Sequence, residues 1–241
     1  MKYMGSKNRI AKHLLPIMLE EANKHGITKW VEPFVGGANM IDKVPDSFER
    51  IGYDYNEYLI AMFNSLQNGW IPEPYTKEDY IYIRANKDEN KHVTGWVGIN
   101  CSYSGKWFGG YAGTVNTKGG VRDYQVEAAR NTLKQMKDLV NVKFESSNVF
   151  DLDIENSLIY CDPPYKDTTK YANGTFDHDK FYKWCREKAK SNIVFVSEYS
   201  APDDFIEVWS QEVKSSLSAN GVTGGNKVSV EKLFLVRGGL I

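Results

Sequence analysis

The segment Asp162-Pro163-Pro164-Tyr165 places an acid, two prolines and an aromatic ring directly behind the apolar run 157–161. Proline fixes its own φ and restricts the residue before it, so this segment is stiff. Its carbonyl groups have no helix or ladder partner, and a carboxylate beside a rigid carbonyl suits an amino group. The flat ring can stack on a base. A proline-rich turn capped by the acid explains the prolines, but not why acid, prolines and ring occur together.

Two further segments have the residues of a nucleoside site. Gly36 and Gly37 end the run 29–37, and the absence of a Cβ lets a ligand approach the backbone closely. Asp54 lies near the end of the next run, 50–56, where a carboxylate can accept both hydroxyls of a ribose. Each feature has an ordinary alternative, a strand-to-helix turn for the glycines and a helix cap for the acid. Together they predict a nucleoside-shaped site.

Alternating apolar runs and amphipathic segments should position these residues. Residues 29–37 predict a strand followed by a tight turn, and 50–56 predict a second strand that ends near Asp54. Further strands are predicted at 142–147, 157–161, 192–199 and 230–236, and helices at 6–25, 57–66, 125–140 and 179–190. Strands separated by helices predict an α/β fold with a mostly parallel sheet covered on both faces. Ligands of such sheets bind beyond the carboxyl ends of the strands, so functional residues should follow the apolar runs.

Between about residue 67 and residue 124 the alternation is lost. Residues 96–122 are dominated by glycine, aromatic and polar residues, which predicts an exposed, adaptable insertion. Cations and rings interleave there, namely Lys106, Trp107, Phe108, Tyr111, Lys118 and Arg122. They suit a DNA-facing loop, because cations meet phosphates and rings can enter a distorted duplex. Alternatively, each ring could pack inside a small separate hydrophobic core. Tyr171 and Phe176 could likewise wall a base or simply pack.

The composition excludes several classes of protein. The 241 residues suit one large domain, or one domain with a smaller insertion. A formal charge of −1 argues against a wholesale basic coat, though not against a local basic face. Three cysteines without a CxxC pair and four scattered histidines predict neither a disulfide framework nor a metal site. Without a membrane-length apolar run or a secretory core, we expect a cytoplasmic protein.

Four segments in series resemble the Dam-like DNA adenine N6-methyltransferases, which use S-adenosyl-methionine (SAM). "KYMGSK" (2–7) is similar to the N-terminal cofactor segment of that family, and "PFVGG" (33–37) to its glycine motif. "YDYNE" (53–57) resembles its acidic ribose-binding motif, and "DPPY" (162–165) its catalytic signature. DPPY alone is shared with other amino-methyltransferases, whereas the four in this order are specific to the family.

The resemblance implies a Rossmann-like methyltransferase fold with a seven-stranded sheet. Residues 1–56 and 141–241 would form the SAM-binding catalytic domain, and 57–140 an inserted, mainly helical target-recognition domain. The implied cofactor-binding residues are Tyr3, Lys7, Phe34, Gly36, Gly37, Asp54, Phe150, Asp151 and Asp162. The implied catalytic residues are Asp162, Pro163 and Tyr165, and the DNA-contacting residues are Lys106, Trp107, Tyr111, Arg122 and Tyr171. The product would be S-adenosyl-homocysteine, with no metal, and the partner double-stranded DNA bound by a monomer or weak dimer.

The sequence departs from the family in two places. Members carry an acid followed by an aromatic about a dozen residues before DPPY, where this chain has Asn148-Val149-Phe150-Asp151. Phe150 could pack on the cofactor adenine, and either Asn148 or Asp151 could meet its amino group. Members that read GATC have an arginine in the stretch comparable to 100–110, which has none here, and Lys106 replaces it only in part. GATC specificity is therefore not implied.

The implied reaction is direct transfer of the SAM methyl group to N6 of an adenine that has rotated out of the duplex. Three alternatives share parts of this interpretation. The methyl acceptor could be N4 of cytosine or an adenine of RNA, because the same pocket would suit their amino groups. The chain could be a DNA- and SAM-binding module that has lost catalysis. It could also be a nucleotide-binding enzyme acting on a small molecule.

Overall fold

The computed structural model describes residues 1–117, 119–165, 176–214 and 228–238. The chain divides into two compact units. The first unit comprises Met1–Leu15 and Phe34–Leu152, and the second comprises Pro16–Pro33 and Asp153–Ile241. None of the helices in the described residues is long and apolar enough to cross a membrane.

Helices and strands alternate as the sequence predicts. The helices are α1 Ala11–Lys24, α2 Glu57–Gln67, α3 Lys77–Ala85, α4 Lys91–Asn100, α5 Tyr124–Met136 and α6 His178–Lys188. The strands are β1 Lys29–Glu32, β2 Glu49–Asp54, β3 Thr114–Thr117, β4 Gly120–Asp123, β5 Val142–Ser146, β6 Leu158–Cys161, β7 Ile193–Glu198, β8 Phe205–Lys214 and β9 Val228–Val236.

Seven strands form one sheet in the order β5-β2-β1-β6-β7-β9-β8, and β3 and β4 form a separate hairpin. The β2–β5, β1–β6 and β6–β7 pairs are parallel. The β7–β9 and β8–β9 pairs are antiparallel. The predicted mostly parallel, seven-stranded sheet is thereby confirmed.

The first strand ends at Glu32 and a turn follows it, as predicted. Two differences concern the first helix and the sheet. The first helix begins at Ala11 rather than near residue 6, because Ser6 Oγ accepts a hydrogen bond from Asn8 N within a preceding turn. The sheet strand β8 was not predicted.

The prediction that residues 96–122 are an exposed, adaptable insertion is wrong for the first five of them. Residues 96–100 are the last half of α4, and all five are buried. This helix packs closely on α2, since a Cβ at Gly95 would lie 2.0 Å from the carbonyl oxygen of Tyr58. The glycine content did not predict a helix, because glycine is typical of turns. In α4 it instead allows a close contact with a neighbouring helix.

The first unit joins α2 to the sheet strand β5. Phe63 and Phe144 stack with ring centroids 4.6 Å apart, and both rings are buried. The Gln67 side-chain amide donates to the carbonyl oxygens of Leu139 and Val142, each at 2.7 Å. These contacts hold the start of β5 and fix the direction in which β2 and β5 run toward their carboxyl ends.

The second unit is built around the strand β6, whose four residues are all buried. Its parallel register with β7 pairs Leu158 with Ile193 and Cys161 with Val196. The side chain of Asn192 fixes the entry to this pair, because Oδ1 accepts from Ser157 N at 3.0 Å and Nδ2 donates to a backbone carbonyl at 2.7 Å. The strand therefore delivers the residue after Cys161 to the carboxyl edge of the sheet.

Candidate active site

The turn that contains Gly36 and Gly37, called the glycine turn below, has a strained backbone. Gly36 has φ +47°, and Ala38 has φ +53°, a conformation that a side chain rarely adopts. A Cβ at Gly36 would lie 2.9 Å from Cε1 of Tyr3, and one at Gly37 would lie 2.6 Å from its Cβ. The two glycines therefore admit the Tyr3 side chain, which brings two of the predicted cofactor-binding segments together.

Gln135 of α5 holds the carbonyl side of this turn. Its Nε2 donates to the carbonyl oxygens of Gly37 at 3.1 Å and of Ala38 at 3.0 Å, and it also lies 2.9 Å from Oδ2 of Asp42. The side chain is buried. The sequence pointed to Gln135 only as part of an amphipathic helix, because a glutamine near the end of a helix has no distinctive spacing.

Asp54 connects the end of β2 to the same turn. Its Oδ2 accepts a hydrogen bond from Gly36 N at 3.0 Å, and its Oδ1 accepts from Asn56 N at 2.9 Å. The helix-cap alternative does not hold for this acid, because Asn56 caps α2 by accepting from Leu59 N. Burial raises the pKa of Asp54, while the two backbone N–H groups act in the opposite direction. The carboxylate therefore joins the acidic motif to the glycine motif.

The N-terminal segment packs on the turn that precedes Lys106. Met4 N donates to the carbonyl oxygen of Gly105 at 3.2 Å, and a Cβ at Gly105 would lie 2.9 Å from Cα of Tyr3. Gly105 has φ +67°, so this approach requires a glycine in both space and conformation. Lys7 is buried, and its Nζ donates to the carbonyl oxygen of Gly5 at 3.2 Å.

The segment 148–151 forms a short 3-10 helix at the end of the first unit. Asn148 caps it, since its Oδ1 accepts from Phe150 N at 3.1 Å. Asp151 is exposed, and the rings of Phe150 and Phe34 are half-buried. The cap engages the single side-chain oxygen of Asn148, and Asp151 is the more exposed of the two residues between which the sequence left the choice open.

The DPPY motif follows β6 in the second unit, with Asp162 partly exposed. The Tyr165 hydroxyl donates to Glu231 of β9 at 2.7 Å, and its ring meets the ring of Tyr199 edge-on at 4.6 Å. Burial raises the pKa of Tyr165 well above its ordinary value, and the nearby charges of Asp162 and Glu231 add to the effect. The hydroxyl is therefore a proton donor that fixes the ring.

The predicted DNA-contacting residues differ in their surroundings. Lys106 is exposed. Arg122 lies on the exposed strand β4 and pairs with Glu127 at 2.6 Å. Trp107 stacks on Tyr58 at 5.8 Å, and the Tyr111 hydroxyl donates to the carbonyl oxygen of Tyr75 at 2.9 Å. The two cations thus reach the surface, while the two rings also support the fold of their segment.

Two of the residues singled out from the sequence, Lys118 and Tyr171, lie outside the described residues. Among the residues that the structure describes, no group of three or more His, Cys, Asp or Glu is arranged to hold a metal ion.

Comparison with known proteins identifies the class of enzyme. The family model of the D12 class N6 adenine-specific DNA methyltransferases matches residues 3–200, and the chain belongs to that family. The Type II methyltransferase M.MjaIII of Methanocaldococcus jannaschii is 27% identical over 208 residues, which cover 73% of this chain and 71% of that protein. The protein is accordingly a SAM-dependent enzyme that methylates N6 of adenine in DNA.

Similarity to solved structures is weaker. The crystal structure of Thermoplasma acidophilum 1320 is 10% identical, covers 94% of this chain and 87% of that chain, and has a TM-score of 0.43. A score of this size carries no argument about function.

Asp54→Asn should raise the Kd for SAM by about 10- to 100-fold, because hydrogen bonds to a charged group are worth roughly 1.5–3 kcal/mol. In the wild type, SAM affinity should weaken as the pH falls through the raised pKa, beginning above the ordinary value of about 3.9. Calorimetric titration across the acidic range measures both effects. If the SAM affinity of Asp54→Asn depended on pH in the same way as that of the wild type, Asp54 would not be the group that binds SAM.

The same pKa has an opposite effect on stability. Because the folded-state pKa is raised, the stabilising contribution of this group is present below the unfolded pKa and is lost as the pH rises through the folded pKa. Thermal unfolding of the wild type and of Asp54→Asn over the same pH range separates this effect from binding.

Gly37→Ala should weaken SAM binding, because the new Cβ meets both Tyr3 and Asn39 Nδ2 at 2.6 Å and displaces the tyrosine. Overpacking of this kind also costs about 1–3 kcal/mol of stability. Gly119→Ala is the matched control, since its Cβ would meet only Thr117 Oγ1 at 3.8 Å. Equal SAM affinities in the two variants would show that the Tyr3 contact is dispensable.

Proposed function

We propose that the DPPY motif is the methyl-acceptor site. Asp162 and the carbonyl of Pro163 accept the two N–H groups of the adenine amino group, and Tyr165 holds the base by stacking. The observation that carries this proposal is the direct connection between a fully buried strand, β6, and a backbone segment stiffened by two prolines. Such a segment keeps two acceptors at fixed positions without a helix or ladder to use them.

The proposed chemistry is a direct in-line displacement. The lone pair of the adenine amino group is delocalised into the ring, which makes the nitrogen a poor nucleophile. Two acceptors that bind its hydrogens favour a pyramidal nitrogen and direct the lone pair toward the methyl group on the SAM sulfonium. The C–S bond breaks as the C–N bond forms, and the methylated nitrogen then loses a proton. Alignment of this kind supplies several orders of magnitude in rate, and no step requires a metal.

We propose that SAM binds to residues on both sides of the glycine turn. The predicted set is Tyr3, Lys7, Phe34, Gly36, Gly37, Asp54, Phe150 and Asp151, with Asp162 near the methyl group. Support for the first unit's share comes from the hydrogen bond between Asp54 and Gly36 and from the packing of Tyr3 on the glycines. In this scheme Asp54 retains free lone pairs for the ribose hydroxyls, and Asp151 meets the adenine amino group.

We further propose that residues 57–140 form the target-recognition domain and bind double-stranded DNA. Its DNA-contacting residues would be Lys106, Trp107, Tyr111 and Arg122, joined by Tyr171. The exposure of Lys106 and the exposed position of Arg122 on the hairpin strand β4 support the two cations as phosphate contacts. A base inside a duplex cannot reach a protein pocket, so the target adenine must rotate out.

The name of the archaeal relative bears on the sequence specificity and cellular role that we propose for this enzyme. The relative from Methanocaldococcus jannaschii is named a Type II methyltransferase. By analogy, we propose that this enzyme methylates one specific DNA sequence in the cytoplasm, as a monomer or weak dimer, and that a cognate restriction enzyme is compatible with that role.

Asp162→Ala should lower methyl transfer to background while leaving SAM binding and folding largely intact, because the acceptor pair is lost but the buried strand is not. Tritium transfer from labelled SAM to genomic DNA of a methylation-free host measures the rate. Asp204→Asn is the control, since Asp204 is an exposed partner of Arg186 at 2.6 Å, and such pairs contribute about 0–1 kcal/mol. A near-normal rate for Asp162→Ala would end the proposed mechanism.

Lys106→Gln should weaken DNA binding about equally for all sequences and lower the slope of log K against log[salt] by roughly 0.9, as loss of one phosphate contact requires. Binding measured between 50 and 200 mM salt, roughly the range over which such contacts are apparent, tests this. Lys24→Gln is the control, because Lys24 pairs with Glu20 and Glu21 on α1. An unchanged salt slope for Lys106→Gln would remove this residue from the interface.

A further inference from the structure

The prolines restrict most of the backbone torsions of the DPPY motif. Proline fixes φ of residues 163 and 164. The residue before a proline is restricted to extended ψ, which limits Asp162 and Pro163. Pro164 precedes Tyr165 rather than another proline, so its ψ is restricted by neither rule, and neither are the torsions of Tyr165. The ψ of Pro164 sets the direction of the Pro164 carbonyl and contributes to the place of the Tyr165 ring.

The His178 ring contacts the Pro164 carbonyl, whose direction depends on ψ of Pro164. Its Nε2 lies 2.9 Å from the carbonyl oxygen of Pro164, and its Nδ1 lies 3.1 Å from the carbonyl oxygen of Phe176. Nε2 is also 3.8 Å from Oε2 of Glu198, a carboxyl group that is 1% exposed. The ring thus lies among three acceptors, and its Nε2 faces the DPPY backbone.

The position of His178 is itself well determined. It is the first residue of α6, and Asp177 caps this helix, since its Oδ1 accepts a hydrogen bond from Lys180 N at 2.9 Å. Glu198 ends β7, and its Oε1 accepts from Tyr199 N at 2.8 Å. A helix start and a strand end therefore hold the imidazole on the side of Pro164.

We propose that His178 is a positioning residue for methyl transfer, which fixes ψ of Pro164 and thereby the place of the Tyr165 ring. The inference rests on the proposed role of Tyr165 in holding the target base. His178 touches neither cofactor nor base in this account. It acts through the Pro164 carbonyl. Glu231 also holds the Tyr165 ring, because its carboxylate accepts a hydrogen bond from the Tyr165 hydroxyl at 2.7 Å.

Two substitutions separate this role from a contribution to folding alone. The amide nitrogen of glutamine can occupy the place of Nε2, so His178→Gln retains a donor toward Pro164. The amide nitrogen of asparagine corresponds to Nδ1, so His178→Asn retains only the donor toward Phe176. A purely structural residue that ties the start of α6 to Phe176 would prefer asparagine, and one that only fills space would not distinguish the two.

The experiment is single-turnover transfer from tritiated SAM to genomic DNA of a methylation-free host. We expect His178→Ala and His178→Asn to lose roughly 10- to 100-fold in rate, because a misplacement of about 1 Å costs on the order of 10²-fold. His178→Gln should recover most of that loss, and the KM for SAM should stay unchanged in all three variants. His25→Ala is the control, since His25 pairs with Glu21 of α1 at 3.3 Å.

A double-mutant cycle with Tyr165→Ala tests whether His178 acts through the tyrosine. Once Tyr165 is absent, the further substitution His178→Ala should change the rate by less than about 2-fold, because residues that act as a unit are not additive. Equal rates for the Gln and Asn variants, or full additivity with Tyr165→Ala, would overturn the inference alone. Undiminished transfer by Asp162→Ala would overturn the proposed function and this inference together.

Discussion

The structure depends on a segment whose backbone has lost most of its freedom before any ligand arrives. Residues 162–165 combine fixed φ angles, restricted ψ angles and an origin in a buried strand. Ordering a flexible residue costs about 1–2 kcal/mol of conformational entropy, and a proline-rich segment has less of that entropy to lose. The proposed acceptor pair, Asp162 and the Pro163 carbonyl, therefore needs no folding step when the base binds. The surrounding contacts, from α6 and from β9, refine an arrangement that the covalent structure has largely determined.

The glycine turn of the first unit, which we propose binds SAM, is held rigid in a different way. The glycine turn has positive φ at Gly36 and at Ala38, and such conformations persist only where the neighbours hold them. Here the holding contacts are polar. Asp54 accepts from the amide of Gly36, and Gln135 donates to the carbonyls of residues 37 and 38. Because Gln135 belongs to the helix that closes residues 57–140, the segment proposed to bind DNA also supports the turn proposed to bind SAM.

The local hydrophobic pattern was enough to predict six of the seven sheet strands and the positions of Asp54 and Asp162 near strand ends. Both rest on short-range information, since apolar runs mark strands and acids mark where they end. The supporting residues could not be found in this way. Gln135 lies 98 positions from the carbonyl of Gly37 that it binds, and Glu231 lies 66 positions from Tyr165. His178 had been one of four scattered histidines, because its partners are backbone carbonyls, which carry no sequence signal.

The contact between Tyr165 and Glu231 has a consequence for biosynthesis. Glu231 lies on β9, beyond the residues 3–200 that define the family, and β9 is hydrogen-bonded to β7 and β8. A ribosome must therefore extend the chain past residue 231 before the Tyr165–Glu231 contact can form. In the proposed mechanism, a shorter nascent chain lacks the contact that fixes the Tyr165 ring, even when its early elements have already folded.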